Sequence, residues 1–358
     1  MGLLYAKTKS ETPSDLVDFT SSSTPPKDQN AVVGKNGKTL SSSSEKISSQ
    51  SEISRFESEF DCKAANLLGK GAFGVVFKAK HKLTKMDYAV KIVRFKDVER
   101  ALREVMALSI LHHSNIVRYY TCWLEDSGYQ GDNADDSGSS SESSMDYSFR
   151  YLYIKMELCD TKTLRIWIDE RNTQNVKKSL QASKRRERFI QVFLQLASGV
   201  EYIHSKMLIH RDLKPANIMF GQDGEVKIGD FGLVADENDY DAENLLERTV
   251  YKGTPSYMAP EQMSQRTYDR KVDMFALGLM CFEVLWKIPT GHERALVWPD
   301  IRKQKFPQRF HHIFPSEHLI IRPMLCVKPE ERPEASQLKT DLERLNAEEI
   351  MRRGNRSM

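Results

Sequence analysis

His210-Arg211-Asp212-Leu213-Lys214-Pro215-Ala216-Asn217, with Asp230-Phe231-Gly232 a short way on, decides how this chain is read. Asp212 is a carboxylate able to take a proton from a hydroxyl, and Lys214 places a cation two residues away. Asn217 and Asp230 are hard oxygen donors of the kind that hold a divalent cation bridging phosphates. Either string alone arises by chance. In this order and at this spacing they make the apparatus of phosphoryl transfer from a nucleotide.

Upstream, Leu68-Gly69-Lys70-Gly71-Ala72-Phe73-Gly74-Val75-Val76 carries three glycines that let backbone approach phosphates. A lone glycine pattern of this kind is weak evidence, and a dinucleotide site needs a helix next, whereas GVVFKAK (74–80) reads as a strand. Lys91 sharpens the reading. An ammonium inside the strand DYAVKIV (87–93) demands anionic partners, here nucleotide phosphates and a carboxylate. We choose Glu104, in Arg103-Glu104-Val105, for that carboxylate; Glu99, nearer the helix start, is the alternative.

Those residues sit in a pattern of elements. Residues 97–111 have apolar side chains at helical period, while 117–124 and 151–158 are aromatic and β-branched enough for strands. Beyond them the pattern turns helical at 187–206, 272–286 and 335–353. A strand-rich first part and a helix-rich second part predict a bilobal α+β enzyme. The expected division is a two-lobed unit over 55–352, with a strand-rich lobe at about 60–158 and a helical lobe at about 159–350.

Two stretches stand outside that unit's regular structure. Residues 1–54 are rich in Ser, Thr, Lys and Pro and too poor in apolar surface to offset ordering entropy, so they read as a disordered linker. The block at about 126–148 holds several acids and no Lys or Arg, and reads as a solvated insert between two strands.

Bulk composition excludes several classes. The net charge of +3 gives no basic field for nucleic acid or an acidic membrane surface, so neither is expected as a partner. Five cysteines, widely spaced and without a CxxC pair, indicate neither a zinc site nor a disulfide framework. The longest apolar stretch, Met274–Trp286, is too short to span a bilayer. Ala6 stands where myristoylation prefers Ser or Thr, and the apolar start is too brief for a secretory signal. A cytoplasmic location is the expectation.

Over residues 60–346 the chain resembles a eukaryotic protein kinase, motif by motif. The resemblance implies a small strand-rich N-lobe, a larger helical C-lobe, and ATP and Mg²⁺ as cofactors. It implies that Asp212 accepts or orients the proton of a substrate hydroxyl and that Lys214 neutralises the transferring phosphoryl group. Lysine at that position points to Ser/Thr specificity. Leu68 to Val76 and Lys91 are expected on the ATP phosphates, Lys91 paired with Glu104, and Asn217 and Asp230 on the metal ions. Met156, Glu157 and Cys159 resemble the hinge that binds adenine, with Met156 as its gatekeeper. Asp273 is expected to brace the catalytic loop, and Glu261 of Ala259-Pro260-Glu261 to pair with Arg332.

Arg211 beside Asp212 implies a switch, since an uncompensated arginine disfavours an ordered activation segment until a phosphate arrives. Thr249 is our phosphate carrier, Arg211 and Arg103 its receivers, and Thr254 shapes the substrate groove.

The strings 202–212, 226–234 and 257–262, with Cys122-Trp123 ahead of the acidic insert, resemble kinases of the alpha subunit of translation initiation factor 2. By that resemblance Thr290 and Glu293 begin a helix that docks the factor. Arg55 and Glu59 pair across a homodimer two-fold axis with Tyr119 nearby; the alternative is an ordinary i,i+4 surface pair. Residues 236–247 are acidic where a basic activation segment is expected, which leaves the order of autophosphorylation open. No double-stranded-RNA-binding domain stands ahead of the kinase region in this chain, which is either a catalytic fragment or a form activated without RNA. Phosphorylation of the factor is the expectation; another Ser/Thr substrate, or a non-catalytic dimerisation partner, is the alternative.

Overall fold

The structure, a computed structural model, describes residues 54–71, 74–95, 98–126, 128–129, 150–173, 178–232, 235–236, 256–264 and 268–355. The expectations for residues 1–53, for most of the acidic insert, for Ala72 and Phe73, and for Thr249 and Thr254 lie outside these residues. So do the side chains of Arg103 and Glu104, whose backbone is helical.

Five strands form one antiparallel sheet: β1 (Phe60–Gly71), β2 (Gly74–His81), β3 (Asp87–Phe95), β4 (Tyr119–Glu125) and β5 (Arg150–Met156). Their order is β1-β2-β3-β5-β4, so β3 is central, and Lys91 stands opposite Val76 on one side and Ile154 on the other. One face carries Phe56, Phe60, Phe77, Val90, Ile92, Trp123 and Tyr153. The other contributes Phe95, Leu152 and Ile154 to the main core, shared with helix α2 (Val98–Ile110) and the helical lobe. Alternate residues of β-branched and aromatic type therefore seal both faces, as period-two alternation requires.

A short helix, α1 (Arg55–Glu59), precedes β1. Ser54 Oγ accepts from Glu57 N at 3.1 Å as its N-cap, and the Glu125 carboxylate accepts from Phe56 N at 2.9 Å and from Trp123 Nε1 at 2.7 Å. This anchors Phe56 and Phe60 on the outer face of the sheet.

The helical lobe is built from α3 (Leu164–Thr173), α4 (Lys178–Ser205), α5 (Pro260–Ser264), α6 (Lys271–Leu285), α7 (Gly291–Ile301), α8 (Phe310–Ile313), α9 (Pro315–Met324) and α10 (Ala335–Gly354). Helix α6 is buried on every side, which accounts for its almost unbroken apolar sequence. Short strands β6 (Leu208–Ile209) and β9 (Ala235–Asp236) pair, as do β7 (Ile218–Phe220) and β8 (Val226–Ile228).

Several boundaries move. Strand β4 starts at Tyr119 rather than 117, because Val117 N turns to Ile228 O at 2.9 Å and Ile116 bridges Ile228 in the other lobe. Helix α4 begins at Lys178, well before the 187–206 reading, since its first turns are charged and give no apolar period. Helix α3 was not expected. Cys122, Cys159, Cys281 and Cys326 are free thiols.

Candidate active site

The loop between β6 and β7 is held from beneath by a buried carboxylate. Asp273, in the first turn of α6, accepts from His210 N at 2.9 Å on Oδ2 and from Arg211 N at 2.9 Å on Oδ1. His204 Nε2 lies 3.0 Å from the same Oδ2. Burial alone would raise the Asp273 carboxyl; the His204 and His210 contacts outweigh it and hold the group below the usual carboxylate range. Asp273 thus reaches two backbone amides of the loop it is expected to brace.

That grip holds unusual backbone in place. Arg211 has φ of +67° and Asp230 φ of +57°, both in the left-handed region that non-glycine residues avoid at a cost of about 1–3 kcal/mol each. Gln262 also restrains Arg211, donating Nε2 to its carbonyl at 3.2 Å while Oε1 accepts from Ala259 N at 2.9 Å. The string 257–262 carries Gln262 only as part of a resemblance, and nothing in it marks this contact across 51 residues.

Asp212 is buried, with its Oδ2 2.6 Å from Lys214 Nζ. Asn217 donates Nδ2 to the same Oδ2 at 3.0 Å and to the Asp212 carbonyl at 2.9 Å. Both amide hydrogens are thereby committed, and the amide oxygen is the atom left for a cation. Lys91, buried in β3, places Nζ 3.2 Å from Asp230 Oδ1. Burial pushes the Asp230 carboxyl up, but Lys91, with His210 and Lys214, more than reverses this and keeps it ionised at neutral pH. Phe231 is buried, its ring 4.9 Å from that of His210, whose Nε2 lies 3.1 Å from Gly229 O. A Cβ on Gly229 would meet Met219 Cε at 2.3 Å, so Met219 would have to swing its terminal methyl aside for a larger residue ahead of Asp230.

At the roof, Gly71 pairs with Gly74, and Gly74 has φ of +118° with Ile92 O only 2.2 Å from where a Cβ would stand. The third glycine of the motif is therefore required by both conformation and space. Met156 closes β5 opposite Ala89 and Tyr119. Cys159 is buried, and its thiol is pushed up to about 12 by burial and by Glu157, which makes it a poor nucleophile. The Glu157 carboxylate is engaged with Lys227 and with Arg118 N rather than held free.

The residues fit Mg-ATP. Among the described residues no three His, Cys, Asp or Glu side chains cluster as a metal site. One carboxylate and one amide suit a hydrated magnesium ion whose remaining ligands are phosphate oxygens.

Residues 62–342 match the family pattern described as the protein kinase domain. This chain belongs to the protein kinase family. The chain carries the domain of ATP-dependent protein phosphotransferases. It is 41% identical over 302 residues to the interferon-induced, double-stranded RNA-activated protein kinase of Mus musculus, covering 84% of this chain and 54% of that one. The protein of the same name in Rattus norvegicus is 40% identical over 304 residues, covering 84% and 55%. Eukaryotic translation initiation factor 2-alpha kinase 3 of Bos taurus is 41% identical over 196 residues, 52% of this chain and 17% of its own. The kinase spans about half the length of the first two relatives.

Remote sites are placed as follows. Thr290 caps α7: its Oγ1 accepts from Glu293 N at 3.1 Å, and Glu293 Oε2 accepts from Thr290 N at 3.1 Å, a reciprocal capping box. Arg332 and Glu261 form a fully buried ion pair, with Nη2 to Oε2 at 2.8 Å. Within the single chain Arg55 Nε reaches Glu59 Oε1 at 2.7 Å, the i,i+4 pair, and the Arg55 guanidinium lies 4.8 Å from the Trp123 ring centroid. Tyr119 packs against the main core, whereas Trp123 belongs to the outer-face cluster, so Tyr119 and Arg55 address opposite faces of the sheet. Alternation along β4 puts residues 119 and 123 on opposite sides once the register shift at Tyr119/Thr121 is counted.

Proposed function

We propose that this kinase transfers the γ-phosphate of ATP to a serine or threonine of the alpha subunit of translation initiation factor 2, slowing translation under stress or infection. The observation that carries the reading is the intact constellation of Lys91, Asp212, Lys214, Asn217 and Asp230, gathered by contacts of 2.6–3.2 Å. The name of the Bos taurus relative, eukaryotic translation initiation factor 2-alpha kinase 3, supports that substrate class.

Asp212 holds the incoming hydroxyl and takes its proton at Oδ1 or Oδ2. Lys214, already 2.6 Å from Asp212, offsets negative charge on the group in transfer. Lys91 grips phosphate oxygens, and Asn217 and Asp230 hold the metal. Magnesium, when bound, neutralises the charge that builds on the phosphate oxygens. Buried Phe231 and Leu213 keep water from the underside of the loop.

Docking of the alpha subunit on α7 at Thr290 and Glu293, homodimerisation through Arg55, Glu59 and Tyr119, and activation by a phosphate on Thr249 received by Arg211 and Arg103 belong to the same proposal. So do Glu104 as the partner of Lys91, Thr254 in the substrate groove, and a cytoplasmic location. Among the described residues no helix is long and apolar enough to cross a membrane. Label transfer from Mg-ATP to the alpha subunit, mapped to the phosphorylated residue, tests the reading. Label that stays on the kinase would keep phosphoryl transfer and reject this substrate.

A further inference from the structure

The β7–β8 hairpin carries both candidate cation ligands at its open end, Asn217 directly before β7 and Asp230 two residues after β8. Within that hairpin Lys227 is buried, opposite Met219. Its Nζ lies 3.0 Å from Glu157 Oε1, 3.3 Å from Glu157 Oε2 and 3.4 Å from Glu225 Oε1. Glu157 stands directly after Met156, in the segment that resembles the adenine-binding hinge. The hairpin and the hinge are thus tied by one charge-assisted contact across 70 residues.

A narrow strip of chain lies between them and is bonded on both edges. Arg118 N donates to Glu157 Oε1 at 3.0 Å, and Glu157 N donates to Arg118 O at 2.9 Å. On the other edge Val117 N donates to Ile228 O at 2.9 Å, and Ile228 N donates to Asn115 O at 2.8 Å. Asn115 Nδ2 reaches Val226 O at 2.9 Å. The ion pair therefore bridges a strip that already joins its two ends, and the contacts on the hairpin edge converge on the three residues before Gly229. Burial opposes the charge on Lys227, yet Glu157 and Glu225 outweigh it and hold the ammonium above its ordinary range, so it stays charged at neutral pH.

We propose that Glu157 and Lys227 are positioning residues that fix the reach from the adenine-binding hinge to the cation-holding hairpin, so that one nucleotide is gripped at both ends together. The proposal rests on the reading of this site as a Mg-nucleotide site. A nucleoside diphosphate with its metal spans both ends, whereas adenosine touches the hinge alone. A pair that merely stabilised the fold would, when broken, weaken the two ligands alike.

The test is calorimetric titration of the full chain with adenosine and, separately, with Mg-ADP, for the wild type, Lys227→Met and Lys227→Arg, with the thermal midpoint of each protein recorded. Lys227→Met is expected to weaken Mg-ADP about tenfold, within the roughly 10²-fold that a misplacement of about 1 Å can cost, and to leave adenosine unchanged. Lys227→Arg is expected to restore most of the loss. Equal weakening of both ligands, or an unchanged affinity for Mg-ADP, overturns the proposal. Should Lys227→Met fail to fold, Lys227→Gln, which keeps a donor for Glu157 but not the charge, is measured with the same expected and contrary results. A folded wild type that binds no Mg-ADP removes the nucleotide reading itself, and this proposal with it.

Discussion

Lys91 Nζ and Asp230 Oδ1 lie 3.2 Å apart, although 139 residues separate them in the chain. One comes from the centre of the five-stranded sheet and the other from the turn after β8, so this contact joins the two lobes at the site of chemistry. The buried ammonium keeps the Asp230 carboxylate ionised, and the carboxylate in turn makes burial of the ammonium tolerable.

Removing the base is expected to remove turnover without removing the fold. Asp212→Asn keeps the shape of the side chain and should lower phosphoryl transfer by about 10²–10⁴-fold, the worth of a positioned general base. Lys91→Arg should be similarly inactive, because a planar guanidinium cannot replace a compact ammonium in the space beside Asp230. Initial rates and thermal midpoints of the purified proteins check both. Wild-type rates for Asp212→Asn contradict the assignment.

The Glu261–Arg332 pair gives a purely structural prediction. Arg332 is 0% and Glu261 3% exposed at the side chain, so removing one partner strands a buried charge. Arg332→Met is expected to cost about 3–5 kcal/mol in urea unfolding. A change below about 1 kcal/mol, the scale of an exposed pair, contradicts the buried-pair account.

Thr290 has two roles that can be separated. Its hydroxyl caps α7, and Thr290→Ala should cost about 1 kcal/mol through the lost cap. Thr290→Ser keeps the cap. If α7 docks the alpha subunit, Thr290→Ala raises KM for the subunit and leaves KM for a short peptide unchanged. Equal shifts for both substrates contradict docking at this helix.

Much of this was legible in the sequence, for reasons that differ by residue. The strands 74–80 and 87–93 were readable because they combine β-branched residues with flanking turns, and the catalytic loop because its chemistry fixes residue types at short spacing. Gln262, the Glu157–Lys227 pair and the His204–Asp273 contact were not readable. Each joins residues far apart in the chain, and no local period or spacing marks such a contact. Helix α3 was missed because its polar residues mask a short apolar stripe of Leu164 and Ile168.

Acid should act through the braced carboxylates. Asp273 and Asp230 both have folded-state values below the ordinary one, so their contribution to stability is fully present above about pH 4 and is lost as pH falls through the lowered values. Denaturant midpoints measured from pH 7 to pH 3 should fall along that limb, and Asp273→Asn should flatten it. An unchanged acid limb in Asp273→Asn contradicts the bracing role.

The switch is tested by Thr249→Ala beside Ser44→Ala. Thr249→Ala is expected to lose most of the activity that autophosphorylation generates, and Ser44→Ala to lose none. Equal effects contradict Thr249 as the phosphate carrier.

The central claim is tested most directly by label transfer from Mg-ATP to the alpha subunit of translation initiation factor 2, run across kinase concentrations beside Asp212→Asn. The account predicts label on a serine or threonine of the subunit, rising more steeply than linearly with kinase, and none above background with Asp212→Asn. An unlabelled subunit, or label that survives Asp212→Asn, contradicts it.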